Sequence, residues 1–469
     1  MYLTQKYFQE ENSHEKISLY IIPPMSDPVL VSNDNSALLQ NLASNRVTDA
    51  FSYSIPQNYP SYSRSVIRVA PDQKGFSTTS RWRIPKAGLL KNMWIRWEIS
   101  AIDLYQDTST SYLKYVNYLG CMMCDGQGVQ LISKNKVLTT IHPHYMIGRI
   151  EDMESGKKEC LEQVVLKDQV DSDEIRLVGA SPAAAGTQQG TLRVYTPIGD
   201  FIGIGDSPRN WLDTVFLEAL EIKLTTRAVG DLFNGSAGAQ SANDLANTST
   251  GTVSLGELVC EFIHPDPEYM SLVRNANFGE GVMSYLTHTS QEEARVTKTP
   301  SDDTETERTI TADIKTPNVM TRIYFAVLKD VADSNHKVSD ENDFVPVERV
   351  ELKANGRTLY DYHADELQFL ANRGYGRSAT ALASHISELA LNQNCYCLNF
   401  SADGQSRDYQ SGAVSGRELN NCQLVVYLAD NEETESIQSR KYTLVVNPEC
   451  LAVWQVSADT GVVDRGLDV

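Results

Sequence analysis

From Arg81 onward the chain alternates between apolar and polar positions. Met93, Ile95, Trp97 and Ile99 fall on one side of a two-residue period, and Trp94, Arg96, Glu98 and Ser100 on the other. That is the pattern of a strand with one buried and one wet face. Similar short runs recur at 191–195, 215–225, 258–263, 310–314, 322–328, 395–400, 422–428, 441–446 and 451–456. Glu218 and Glu221 sit between apolar neighbours in VFLEALEIKLTT, as one wet face requires. Many short strands, turn signals between them and few helical stretches predict β-sandwiches.

One stretch occurs twice. VQLISKNKVLTTIH runs from 129 to 142, and VELKANGRTLYDYH from 350 to 363. Val129, Leu131, Leu138 and His142 match Val350, Leu352, Leu359 and His363 in spacing, 221 residues apart. Each copy reads as a hairpin. Val and Leu two apart share a strand face. A polar turn follows, at Asn135 in one copy and Asn355-Gly356 in the other, and Asn-Gly is a strong two-residue hairpin signal. A helix-compatible run comes next, 145–153 and 364–373. The repeat predicts an all-β chain of two tandem eight-stranded jelly rolls, with short helices in loops and an extended N-terminal arm. The expected divisions are an arm at 1–65, a first jelly roll at 66–275, and a linker with the second jelly roll at 276–469.

Two segments lack periodicity. Residues 228–256 are dominated by Gly, Ser, Ala, Asn and Thr and read as a surface loop at the outer end of the first sandwich. The arm carries SYSIPQNYPSYSRS, with two prolines and no period, so it reads as extended chain. Its apolar anchors, Tyr2, Leu3, Tyr7 and Phe8, with 19–22, suit contacts with a neighbouring molecule.

Composition narrows the function. The 469 residues suffice for two or three domains. The formal net charge of −20 repels phosphate backbones and argues against direct nucleic-acid binding. Eight cysteines in a chain this long are no disulfide scaffold, and the first sixteen residues lack a secretory pattern. Both favour folding inside a cell with reduced thiols.

Candidate chemistry is thin. Cys121 and Cys124 have zinc spacing, but Cys395 and Cys397 are one residue apart and offer no second pair, so they read as small core hydrophobes. His142-Pro143-His144 resembles the His-x-His of cupins, yet the next Glu is Glu151 and the second cupin motif is missing. Asp302, Asp303, Glu305 and Glu307 lack the glycine and spacing of a calcium loop and read as solvated surface. No Walker loop and no G-x-S-x-G elbow occurs. Asn234, Asn247 and Asn399 begin glycosylation sequons. The expectation is a protein with no catalytic, cofactor-binding or metal-binding residues.

Five segments in order carry a family resemblance. They are the hairpin and helix at 129–153; PIGDFIGIGDSP followed by LDTVFLEALEIKL; LVCEFIHPDPEYMSLVRN; VERVELKANGRTLYDYHADEL followed by YCLNFSADGQSRDYQSGAVSGRELNNCQLVVYL; and KYTLVVNPECLAVWQVSADTG. Together they resemble the double jelly-roll major capsid proteins of icosahedral double-stranded DNA viruses, of the nucleocytoplasmic large DNA virus and PRD1-adenovirus lineage. Departures are a family aromatic cluster thinned to Phe201, His264-Pro265 in place of an acidic start, and no proline near Gln410-Ser411-Gly412. The resemblance covers about residues 80–469. It implies a structural subunit of the virion shell, synthesised in a host cell. Three copies would form a pseudo-hexameric capsomer, which would contact neighbouring capsomers, minor capsid or penton proteins and an inner membrane layer. The rival expectation is a carbohydrate-binding or carbohydrate-active sandwich: a lectin, spike or glycosidase.

Overall fold

A computed structural model describes residues 62–100, 103–104, 113–153, 155–166, 186–187, 191–204, 211–218, 220–235, 253–268, 270–271, 274, 282–289, 293–298, 308–316, 318–329, 344–363, 366, 395–400, 412–429, 442–457 and 463–465. Tyr2, Leu3, Tyr7, Phe8 and most of the expected arm lie outside these, as do 236–252 and the expected break at 275/276.

The first half contains strands β1 (Tyr62–Val69), β2 (Thr79–Arg83), β3 (Leu89–Ile99), β4 (Asp103–Leu104), β5 (Leu113–Tyr115), β6 (Cys124–Ser133), β7 (Lys136–Ile141), β8 (Gly186–Thr187), β9 (Leu192–Pro197), β10 (Leu212–Asp213), β11 (Leu220–Thr226), β12 (Phe233–Gly235) and β13 (Val253–Pro265). Its helices are α1 (Leu119–Met122), α2 (Pro143–Glu151) and α3 (Ser155–Val165). The second half contains β14 (Val282–Thr289), β15 (Ala294–Lys298), β16 (Thr309–Asp313), β17 (Val319–Lys329), β18 (Val347–Ala354), β19 (Arg357–His363), β20 (Cys395–Asn399), β21 (Val414–Ser415), β22 (Gln423–Leu428), β23 (Tyr442–Ser457) and β24 (Val463–Arg465).

Each half builds two large antiparallel sheets, and the first adds the two-stranded ribbons β5–β12 and β4–β8. In the first they run β1-β13-β3-β10, with β9 also on β3, and β2-β11-β6-β7. In the second they run β14-β23-β17-β20, with β15, β21 and β24 added at the sides, and β16-β22-β18-β19. The fold is a double jelly roll, all-β with short helices between strands. Both sandwiches lie in one compact unit, Arg64–His264 with Arg274–Val469. A second unit includes Pro265–Val273, where the Met270 N–H donates to the Asp266 carbonyl.

The pairing repeats residue by residue. Val129 opposes Ile141 as Val350 opposes Tyr362, and Leu131 opposes Thr139 as Leu352 opposes Tyr360. Both ladders then shift by one, at Leu138 in one and at Leu359 in the other. The turns also agree: Lys134 and Asn135 have φ 44° and 66°, Asn355 and Gly356 φ 54° and 71°. Two consecutive left-handed residues make the turn whose twist suits a hairpin. The neighbours follow. Ile222 lies between Trp82 and Leu131, and Leu424 between Ala312 and Leu352. In the other sheets Ile95 lies between Leu258 and Thr196, and Phe325 between Val446 and Tyr396.

Inward faces fill two cores. Met93, Ile95, Trp97 and Ile99 are buried as their alternation predicts. Trp82 and Trp97 meet edge to face at 6.0 Å. Each indole N–H finds an acceptor, the Gly256 carbonyl at 3.0 Å and Thr196 Oγ1 at 2.8 Å, which removes the main cost of burying tryptophan. In the second core Phe325 stacks on Tyr396 at 5.5 Å.

Four details depart from the sequence reading. β1 begins at Tyr62, inside the segment expected to be arm. The runs at 441–446 and 451–456 are one strand, β23, of 16 residues. The helix α3 was not foreseen, since KKECLEQVV has only a weak apolar stripe. The ends of 228–256 are structured: Leu232 is buried, and Val253 starts β13 with its side chain in the core.

All eight cysteines are free thiols, and Cys160 on α3 is the exposed one. Burial pushes Cys422 up to about 11, Cys260 up to about 12, and Cys121, Cys124, Cys395 and Cys397 further. A neutral, inaccessible thiol is a poor nucleophile. A thiol reagent applied to native protein at pH 8 should therefore modify Cys160 fast and the other seven only on unfolding. Mass spectrometry showing a second fast site at Cys121 or Cys124 would contradict this burial.

Candidate functional site: the seam between the sandwiches

The chemistry-bearing residues of this chain converge where the first sandwich meets the second. The hairpin β6–β7 leads into α2. His142 sits at its N-cap position and Pro143 at its first turn, where a missing N–H costs nothing. All nine residues of α2 are buried. A helix buried all round must have protein on every side, and α2 packs against β17, β20 and β23 of the second sandwich as well as against α1, α3 and β6. Close approach needs a glycine: a Cβ on Gly148 would lie 3.1 Å from the Tyr324 Cβ.

The receiving strand is buried on both faces. Ile323, Phe325 and Val327 point into the second core. Tyr324, Ala326 and Leu328 join the core of the first sandwich across the seam. The run at 322–328 reads as a strand with one wet face, but both of its faces are covered, as in other strands buried on two sides.

Charged groups are buried in this apolar contact. Glu449 on β23 is fully buried. Its Oε2 accepts from the Tyr145 hydroxyl at 2.8 Å and lies 3.6 Å from Arg149 Nη1, both on α2. Its Oε1 accepts from Arg322 Nη1 at 3.0 Å and from Thr321 Oγ1 at 3.1 Å. Arg149 also donates to the Phe201 carbonyl at 2.8 Å. Asp152, just past α2, takes the Tyr324 hydroxyl at 3.2 Å and lies 3.6 Å from Arg322 Nε. Glu151 accepts from Lys158 at 2.5 Å and from the Tyr118 hydroxyl. The named groups balance in charge: Arg149, Arg322 and Lys158 against Glu449, Asp152 and Glu151. Burial, reinforced by Glu449 and Asp152, pushes the Tyr324 phenol far above its usual range, so it stays a donor.

A second polar contact crosses the seam at the start of α2. His144 Nδ1 lies 3.9 Å from Glu293 Oε2 and 3.2 Å from Arg295 Nη2. Burial would raise the Glu293 carboxyl, but His144, His142 and Arg295 outweigh it and hold the group below its usual range.

The residues singled out from the sequence fall in two places. Val129, Leu131 and Leu138 are core residues of the first sandwich, and Val350 and Leu352 of the second. Leu359 and His363 are exposed on β19. The two hairpins do not combine into one site. Cys121 and Cys124 are apart in role, one on α1 and one opening β6, and among the described residues no three His, Cys, Asp or Glu are grouped to hold a metal. Sequence reasoning passed over Arg149, Asp152, Arg322 and Glu449. The one available signal was a charged residue, Arg322, inside an otherwise apolar strand.

No protein-family model and no curated protein matches the chain. Solved structures do. The capsid of the virus PBCV-1 matches with a TM-score of 0.61 at 11% identity, over 89% of this chain and 99% of that one. The Faustovirus major capsid protein matches with 0.57 at 12%, over 90% and 97%. The Sputnik virophage structure matches with 0.57 at 10%, over 88% and 89%. The fold is the double jelly roll of viral major capsid proteins. At such identities the likeness is one of backbone. The double jelly roll here is similar to theirs along nearly its whole length, with both sandwiches included.

The seam makes a direct prediction. Gly148→Val forces a branched side chain against Tyr324. Overpacking of this kind costs about 1–3 kcal/mol, more than the few tenths that valine gains over glycine in a helix. Denaturant unfolding should show that loss. Equal or greater stability would mean α2 does not press on β17.

Proposed function

We propose that this chain is the major capsid protein of an icosahedral double-stranded DNA virus, a structural subunit and not an enzyme. The observation that carries the reading is the likeness of both sandwiches, in order, to capsid proteins over 89% of this chain and 99% of the PBCV-1 capsid chain. The internal duplication supports it. A chain that presents two similar sandwiches lets three copies occupy six similar positions, so a homotrimer tiles like a hexamer. The subunit's task is then burial and geometry: a rigid seam fixes the angle between its two sandwiches, and capsomers pack edge to edge in the virion shell.

On this reading the segment before β1 ties capsomers to one another or to an inner layer, with Tyr2, Leu3, Tyr7 and Phe8 as anchors. Minor capsid or penton proteins fill the positions that trimers leave. The charge of −20 keeps the subunit from binding the genome directly. The residues from β1 to 275 and those at 276–469 are its two jelly rolls, with the two ends of 228–256 packed into the first.

Light scattering at micromolar concentration should give three times 52.2 kDa or larger assemblies, and negative-stain images should show hexagonal particles. A strict monomer in both, or turnover of a glycan substrate by the purified protein, would count against the reading.

A further inference from the structure

At one end of each sandwich three short connections interlock. In the first they are 84–88, 134–135 and 214–219, and in the second 314–318, 355–356 and 416–422. The same backbone bonds hold both sets. The Ile84 N–H donates to the Leu220 carbonyl as the Ile314 N–H donates to the Cys422 carbonyl. The Thr214 N–H donates to the Gly88 carbonyl as the Gly416 N–H donates to the Asn318 carbonyl. Asn355 adds a clamp in the second set, donating through Nδ2 to the Glu418 carbonyl and accepting from the Asn420 N–H. Each end is thus an ordered surface built from turns.

The charge of these ends is opposite to that of the chain. The whole sequence has 41 Lys and Arg against 61 Asp and Glu. At the first end, with the residue after the hairpin turn included, Lys86, Lys134 and Lys136 stand against Glu218. At the second, Lys315, Arg357 and Arg417 stand against Glu418. All of them are exposed. Glu218 is already answered: Lys134 bonds it at 2.9 Å and, with Lys86 and Arg83, holds its carboxyl below the usual range. The segments 299–308, 330–343 and 429–441 join strands from the other end of the second sandwich, and they are rich in Asp and Glu. Apolar side chains stand open among the lysines of the first end: Val137, next to Lys136, is 41% exposed, and Val215 is 43% exposed.

We propose that these ends dock on a bilayer that bears anionic phospholipid headgroups. The basic side chains reach the headgroups while Val137 and Val215 enter the interface. Binding to such a surface grows with the apolar area buried and with the attraction of basic groups to anionic lipid. Each basic residue held close to it contributes about 5-fold in binding. The acidic bulk of the chain does not cancel this, because exposed charges more than about 8 Å apart are largely screened at physiological salt. A nucleic acid fits less well. Single strands need open aromatic rings to stack on, and Phe216, the one aromatic residue in these connections, is covered by the Arg274 guanidinium at 4.6 Å. The inference deepens the capsid reading by giving its inner layer a chemistry, and it rests on that reading only for the presence of such a layer.

The test floats the full chain with phosphatidylcholine vesicles, with and without phosphatidylserine. Wild type should float with the anionic vesicles only and come off as salt is raised. Lys86→Gln with Lys136→Gln should weaken binding by about 20-fold, two factors of about 5. Val137→Ser with Val215→Ser should weaken it by about 3-fold or more. Lys74→Gln removes a charge from the connection between β1 and β2, at the opposite end, and should change nothing. Circular dichroism should be the same for all. Lys315→Gln with Arg357→Gln repeats the test on the second sandwich, and serves if the first pair disturbs folding. If wild type ignores anionic vesicles, or K74Q loses as much as K86Q/K136Q, the docking surface is overturned. If duplex DNA displaces the vesicles and binds through the same lysines, the site is one for nucleic acid and the lipid proposal falls. Light scattering on the same samples separates the two readings. Trimers that do not float leave the capsid reading standing without this surface. A monomer that floats with the expected variant pattern leaves the surface standing without the capsid reading.

Discussion

A carboxylate with no access to water must be answered by the protein, and Glu449 is such a group. Its partners come from both sandwiches: Tyr145 and Arg149 from α2, Thr321 and Arg322 from β17. Burying two opposite charges in a good geometry is often no more stabilising than burying apolar groups of similar size. Removing one partner, by contrast, typically costs about 3–5 kcal/mol. The seam is therefore less a source of net stability than a device of specificity. Apolar contact alone would let α2 slide or turn on the outer face of β17. The pairing of Glu449 and Asp152 with two arginines and two tyrosines leaves few other arrangements satisfied. The angle between the sandwiches depends on that choice, and so does any assembly that places several sandwiches in a ring.

The duplication explains both the likeness and the difference between the halves. Backbone pairing is common to the two, down to the shared register shift at Leu138 and Leu359. Side chains then diverge according to what covers each sheet. Tyr324, Ala326 and Leu328 face α2, so they are apolar or neutral and buried. Arg96 and Glu98, at the matching positions on β3, form an ion pair with each other instead. Leu138 fills the first core, whereas Leu359 stands out from β19. The frame is one solution used twice, and the two copies differ in which of their faces are covered.

The frame was largely legible in the sequence. Period-two alternation marked β3, β11 and β16, and the repeated hairpin pointed to two copies of one sandwich. The seam was not legible, for physical reasons. Glu449 and Arg149 are 300 residues apart, and nothing local marks either as a partner. The run at 322–328 reads as an ordinary half-wet strand, so nothing in it shows that its outer face is covered, and Arg322 reads as a solvent-facing residue until α2 is in place. α3 escaped notice because its stripe is weak and its position is set by packing on β9. The start of β1 reads as arm because YSRSVIRV is half exposed and its burial depends on β13.

A double-mutant cycle on Arg149→Met and Glu449→Met tests the central claim, that the two sandwiches are locked by a buried ionic contact. Denaturant unfolding of the four proteins measures it. Each single substitution removes one partner from a buried ionic contact and should cost about 3–5 kcal/mol. The double substitution removes both charges and should cost less than the sum of the two by about 1–3 kcal/mol, as for residues in direct contact. Costs that add to within about 0.5 kcal/mol would mean that Arg149 and Glu449 do not hold each other, and the account of the seam would fail.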